Sequence, residues 1–296
     1  MKSFPPDVIV LDTDSMLHAR VTRGKRAPRI TQAKRYRIPA DTFATSLVTP
    51  ELVNDTALAE SVRRLRAETG RWDKVSLLLP DSWFRINIVE MASFKERAAD
   101  ASNVVRWSLK RTLPIPPEEL RVAYNVLSRT ATHVKVLVVS ALEKTIAKIE
   151  RVFADAGLET VLIEPLGLNL WNAISARDTN GKDRLFIFVR ESEFTTAVFR
   201  GDEPLFIRSR NLSNTRSLEQ EIRLSASYLR DALRTESFEN CTIAGNRIDG
   251  EIASVVSSEF GSPVSTIALN EFVEEVPSSL SGYDAELTAC TGVFTA

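Results

Sequence analysis

The apolar run at residues 8–11 breaks into a polar turn, Asp12-Thr13-Asp14-Ser15, and the chain leaves that turn through a second run, Met16-Leu17-His18-Ala19. Runs of that length bounded by turn residues predict two strands in a hairpin. The same pattern returns later. Sliding the chain on itself until Arg23-Gly24 lies over Arg200-Gly201 puts residues 8–15 (VIVLDTDS) over residues 185–192 (LFIFVRES). Both copies read as strand, polar turn, strand, tight turn at Arg-Gly and a third strand, over 29–38 in the first copy and 205–209 in the second. An echo this distant is too long for a solenoid repeat and predicts a duplicated, two-lobed fold.

Between the copies the period changes. Leu58, Val62 and Leu65 follow helical spacing over 57–69, which Gly70 closes, and residues 74–79 read as a buried strand ended by Pro80. Residues 83–90 predict a strand and 95–111 a helix with Ala98, Ala101, Val105 and Leu109 on one side, stopped by the prolines of 113–117. Paired strands follow at 121–128 and 133–140. A helix at 143–156 then turns Ile146, Ile149 and Phe153 inward and ends at Gly157. Segment 83–160 therefore reads as an inserted subdomain, with 1–82 and 161–182 as the first lobe and 183–296 as the second. In that second lobe Ser217-Leu-Glu-Gln220 forms a capping box opening a helix to residue 235. A strand at 241–245, a helix at 250–260, a return strand at 261–265 and a last docking helix at 285–294 complete the pattern.

With 44% hydrophobic and 26% charged residues over 296 positions, the chain has the composition of a globular protein with material for two cores. Its formal net charge of -1 offers no global attraction to nucleic acid. One local patch stands out: Arg20, Arg23, Lys25, Arg26, Arg29, Lys34, Arg35 and Arg37. It reads either as a solvated face of edge strands or as a surface for an anionic partner or a membrane. The N-terminal residues lead into a strand without a signal-peptide core, and the apolar runs at 134–142 and 185–189 are too short to span a bilayer. Cys241, Cys290, His18 and His133 lack metal-ligand spacing, so a reduced, cytoplasmic setting without a structural metal is expected. Trp83, Trp107 and Trp171 are core fillers or partner anchors.

Two meanders joined by helices, with an insert in the first lobe, resemble the actin-like, ribonuclease H-like α/β fold with an inserted small α+β subdomain. Within that superfamily the chain resembles the PilM-type proteins of type IV pilus assembly and competence. The likeness runs through Ile88-Val-Glu-Met-Ala92, Leu113-Pro-Ile-Pro-Pro-Glu-Glu119, Ala156-Gly-Leu-Glu-Thr-Val161, Phe206-Ile-Arg-Ser209, Glu221-Ile-Arg-Leu-Ser-Ala-Ser-Tyr228 and Ile243-Ala-Gly245. The resemblance implies a location at the cytoplasmic face of the inner membrane. It also implies a groove near the inserted subdomain for the short tail of a bitopic pilus-alignment protein, and an interlobe cleft that in family members holds Mg-ATP.

The nucleotide loops depart from the family pattern. The first, Asp-x-Gly-Ser in the family, is Asp12, Thr13, Asp14 and Ser15 here, with a carboxylate in place of the glycine. A side chain there obstructs close approach of backbone to phosphate and adds repulsion. In the second loop, setting Thr195 on the family threonine puts Val189 at the metal-facing aspartate and Glu191 at the glycine. The adenosine-side loop keeps Gly245 but has Asn246 and Arg247 in place of small residues. Two readings follow: a non-catalytic scaffold with no cofactor, or an ATP-binding ATPase in which Arg190 or Arg247 serves as phosphate clamp. A sugar-kinase-type enzyme is a third option, for which no catalytic base stands out.

Overall fold

The computed structural model describes residues 4–44, 51–92, 94–175, 183–191, 193–201, 203–212, 217–234, 238–246, 248–275 and 282–294. β1 (Asp7–Leu11), β2 (Ser15–Thr22) and β3 (Arg29–Arg37) form the antiparallel meander that the first hydrophobic runs predict. A two-residue pair, β4 (Phe43–Ala44) and β5 (Glu51–Leu52), follows. α1 (Asp55–Thr69) starts where the Asn54 side chain accepts the Ala57 N–H at 3.0 Å and ends at Gly70, whose φ of 98° suits glycine. β6 (Lys74–Leu79) then runs parallel to β1, which is buried along its whole length because Ile9 and Leu11 enter one core and Val8 and Val10 another.

A single 3-10 turn at Asp81–Trp83 delays the next strand, so β7 (Arg85–Met91) begins later than the pattern predicts. The following helix is shorter than expected. α2 (Ala101–Ser108) replaces the helix read over 95–111, with Leu109–Arg111 continuing only as a 3-10 turn. Carbonyls that a longer helix would need are bonded elsewhere: Arg129 donates to the Phe94 carbonyl at 3.0 Å and the Tyr124 hydroxyl to that of Glu96 at 3.1 Å. β8 (Leu120–Arg129) and β9 (Val134–Leu142) pair as predicted, and β7 joins them in a three-stranded sheet ordered β7-β9-β8. Val105 and Leu109 of the α2 region pack over this sheet with Val136 and Val138.

α3 (Glu143–Asp155), β10 (Glu159–Pro165) and α4 (Leu166–Ser175) follow. Ile146, Ile149, Val152 and Phe153 of α3 share one core with Leu58, Val62 and Leu65 of α1, so this helix packs on the first-lobe sheet.

The second lobe repeats the first. β11 (Asp183–Val189), β12 (Glu193–Arg200) and β13 (Glu203–Asn211) form its meander, α5 (Leu218–Leu233) opens with the predicted Ser217/Gln220 capping box, and β14 (Asn240–Gly245), α6 (Gly250–Phe260) and β15 (Val264–Thr266) complete the lobe. The two five-stranded sheets run β10-β6-β1-β2-β3 and β15-β14-β11-β12-β13. Order and direction agree strand for strand: an antiparallel meander, then two parallel neighbours.

α4 and α7 (Asp284–Gly292) lie between the sheets and supply Leu166, Leu170, Trp171, Leu287 and Cys290 to a core that both sheets share. Trp171 stacks on Phe199 with centroids 3.7 Å apart. The two helices touch backbone to backbone, since a Cβ at Gly292 would stand 1.8 Å from the Asn169 carbonyl oxygen. Among the described residues no helix is long and apolar enough to cross a membrane.

Candidate functional site

The β1–β2 and β11–β12 turns face each other across the cleft between the lobes. Each is closed by the same backbone bond, Asp12 N–H to Ser15 O at 2.8 Å and Arg190 N–H to Glu193 O at 2.9 Å. That equivalence corrects the sequence alignment by one position. Arg190, rather than Val189, stands in the second lobe where Asp12 stands in the first, and Glu191 matches Thr13 rather than the glycine position. The physical reason is strand alternation: Val189 is the last residue of β11 and its side chain is buried in the second-lobe core with Val198 and Ile222. Glu191 is exposed. Arg247 lies outside the described residues.

Arg190 reaches across the cleft. Its Nη2 is 2.6 Å from Asp12 Oδ2, Nη1 is 3.3 Å from Glu193 Oε1, and Nε is 3.6 Å from Glu286 Oε1 of α7. Burial alone would lower the guanidinium pKa, but Asp12, Glu193 and Glu286 together drive it up, so the side chain is a fixed cation. Two further lines of hydrogen bonds join the lobes beside it. Glu193 Oε2 accepts the Ser82 N–H at 3.0 Å, and the Thr195 hydroxyl donates to Asp81 Oδ2 at 2.9 Å while pairing with Ser209 Oγ at 2.8 Å. Asp81 Oδ1 takes the Gly167 N–H at 2.7 Å, which fixes the start of α4. Thr195, a predicted loop residue, thus belongs to the lobe contact.

The remaining loop residues have local partners. Thr13 donates its N–H to Asp12 Oδ1 at 2.7 Å, and Ser15 donates its hydroxyl to Asp14 Oδ1 at 2.8 Å. The Asp14 side chain is 68% exposed and 3.8 Å from Arg35. Among the described non-glycine residues only Arg234 has positive φ, so the turn at Asp14 does not need a glycine. Gly245 does, with φ at 127° and the Val189 carbonyl oxygen 1.7 Å from where its Cβ would stand. Asn246 donates its N–H to that same carbonyl at 3.1 Å, and its side chain is exposed.

These residues do not fit Mg-ATP. Arg190 sets a cation at the position that Asp12 holds in the other lobe, and the two are already paired. A nucleotide would have to break that pair and bring its own charge beside Glu193 and Glu286. Under the ATPase reading the sequence offers Arg190 as a phosphate clamp; of its carboxylate partners Glu193 is three residues on, whereas Asp12 and Glu286 lie on distant elements that spacing does not reveal.

A second feature is a groove of about 180 Å³ between the inserted sheet and the first lobe, with Phe84, Val122, Val139, Ile146, Val161 and Ile163 among its lining. Strands β8 and β10, each at the end of its sheet, flank it. A bulge in β10 between Thr160 and Leu162 leaves Val161 out of the ladder, 41% exposed. Arg121, held by Glu143 at 2.6 Å and by Glu150 at 2.6 Å, sets a polar border.

Other singled-out residues separate. Trp83 and Trp171 are buried, whereas Trp107 is 56% exposed on α2. His18 is buried, 2.7 Å from Asp7 and stacked on Trp72, while His133 is exposed and the two cysteines lie in different cores. Within the basic stretch Arg20, Arg29, Lys34 and Arg35 pair with Asp7, Glu274, Glu68 and Asp14.

No protein-family model and no curated protein matches the chain. Solved structures do. The chain is similar to one in the PilM-PilN type IV pilus biogenesis complex, at 17% identity over 97% of each chain with a TM-score of 0.79. A Bacteroides thetaiotaomicron protein with an actin-like ATPase fold and unknown function matches at 11% identity over 96% of this chain and 94% of that chain, with a TM-score of 0.58. The cytoplasmic domain of EpsL, an inner-membrane component of the type II secretion system of Vibrio cholerae, matches at 10% identity over 98% and 94%, with a TM-score of 0.52. The fold is the two-lobed actin-like α/β fold.

Proposed function

We propose that this protein is a non-catalytic, actin-like scaffold of a pilus- or secretion-type assembly, working without nucleotide and holding the cytoplasmic tail of an inner-membrane protein. The observation that carries the reading is the ion pair of Arg190 with Asp12, which ties the two turns together across the cleft where the resemblance would put a nucleotide. The likeness to a PilM-PilN complex chain and to the EpsL cytoplasmic domain supports a membrane-machine partner. Such a partner places the protein at the cytoplasmic face of the inner membrane. The basic stretch is a secondary surface there, because half of its charges already have acidic partners.

The groove between β8 and β10 is the place for the tail. Its apolar floor suits alternate side chains of an extended segment, and the free strand edges supply backbone partners. A fluorescent peptide carrying the tail of a bitopic pilus-alignment protein is expected to bind the intact chain in an anisotropy titration. Val161→Arg is expected to weaken that binding about tenfold or more, since it sets a charge in the apolar floor, while shifting stability by about 0.5 kcal/mol at most, as usual for an exposed site. Equal affinity for both proteins would place the tail elsewhere. No binding at any concentration reached would remove the tail-binding reading.

A further inference from the structure

Four carboxylates meet one guanidinium where the lobes touch. Asp12 from the first turn, Asp81 from the turn after β6, Glu193 from β12 and Glu286 from α7 converge on the surroundings of Arg190. Asp81, Glu193, Glu286 and Arg190 are all buried. One cation cannot offset four anions in a site with so little water, and a buried carboxylate without a counter-charge takes up a proton instead.

The surrounding elements bring further charged groups, most of them engaged elsewhere. α4 contributes no charged residue and reaches Asp81 through the Gly167 N–H. β13 presents Ser209 to Thr195, while its Arg208 lies over the Tyr228 ring of α5 at 5.3 Å. Arg85 of β7 directs Nη1 to the Ser82 and Phe84 carbonyls, and Arg210 of β13 stands close enough to repel it, so these two cations border the cluster. Asp284 of α7 accepts the Leu269 N–H, and Glu164 of β10 accepts from Asn169.

We infer that this cluster is a proton-operated latch: carboxyl groups around Asp81 and Glu193 bind protons when the lobes close, and proton release loosens the lobe contact. Burial first, and then the nearby charge of Glu193, push Asp81 up to about 7. Burial likewise raises Glu193 and Glu286, against the pull of Arg190. The sign follows directly. A carboxyl whose pKa is raised in the closed form contributes stability that is complete below the pKa of the open form and is lost as pH rises through the closed-form value. The lobes are therefore held more tightly at mildly acidic pH than near neutrality and above.

Amide hydrogen exchange on the full chain tests this, read at Ser82 and Gly167, whose N–H groups bond the cluster. After correction for intrinsic exchange, their protection is expected to fall about tenfold or more between about pH 5.5 and about pH 8.5. In Asp81→Asn, which keeps the shape and loses the titration, the fall is expected to shrink or vanish. Flat protection in the wild type, or the same fall in the variant, overturns the latch. Side-chain carboxyl carbon NMR of the wild type gives a second readout should Asp81→Asn not fold. A cluster carboxyl with a midpoint near 7 supports the latch, and no carboxyl titrating above about pH 6 overturns it.

Discussion

Arg190→Ala is expected to lower the free energy of unfolding by about 3–5 kcal/mol, the range for removing one partner of a buried ion pair. The lost attraction is not the main cost. The substitution leaves Asp12 facing the cleft with Glu193 and Glu286 buried behind it, and among the described residues no other cation is ion-paired with them. Part of the loss is recovered if the carboxyls protonate, so the deficit should be smaller in mildly acidic buffer than at pH above 7. The double variant Arg190→Met with Asp12→Asn is expected to lose less than the two single costs combined, because it removes both sides of the shortest contact. Urea denaturation followed by circular dichroism measures all of these. A cost below about 1 kcal/mol for Arg190→Ala would mean that the cluster is hydrated and screened as a surface pair is.

Gly292→Val is the second large effect. Its Cβ would meet the Asn169 carbonyl oxygen, a backbone atom that cannot rotate away, so α4 and α7 must separate. Those helices carry the core shared by both sheets, including Leu170, Trp171, Leu287 and Cys290. Overpacking of this kind costs about 1–3 kcal/mol and often more where backbone must move. Gly250→Ala is the control: nothing lies within 4 Å of its Cβ position, and the change is expected to be neutral or slightly stabilising. Equal melting curves for Gly292→Val and Gly250→Ala would show that the helices do not meet at this point.

Much of the architecture was legible because its signals are local. The apolar runs of both meanders, the Ser217/Gln220 box at the start of α5 and Gly157 after α3, with φ at 81°, need only neighbours in sequence. The echo between residues 8–15 and 185–192 gave the duplication, which the matching sheet orders confirm. Where tertiary bonds decide, the pattern misleads. Residues 95–100 have helical composition, yet Arg129 and Tyr124 hold carbonyls at Phe94 and Glu96. The sequence alone aligns the second turn one position off, since an apolar run that ends in LFIFVR does not say whether valine or arginine enters the cleft. Arg190 was visible as a charge next to a buried strand; its opposite number, Asp12, occupies the related turn of the other lobe, a relation that only the paired hairpins reveal. The resemblance implies a groove near the inserted subdomain but does not name its lining, because β8, β10 and α3 meet only in the folded chain.

The cluster around Arg190 also links the two proposals. Under the proposed reading, the charges that would oppose a nucleotide are the ones that would make the lobe contact sensitive to protons, with the cleft filled by the chain's own side chains. The most direct test of that exchange is isothermal titration of the purified, nucleotide-stripped protein with Mg-ATP. The account predicts no saturable heat, because binding would have to break the Arg190–Asp12 pair and bring phosphates beside Glu193 and Glu286. Saturable micromolar binding that competes with other nucleotides would contradict it, and would mean that Arg190 leaves Asp12 to serve as a phosphate clamp.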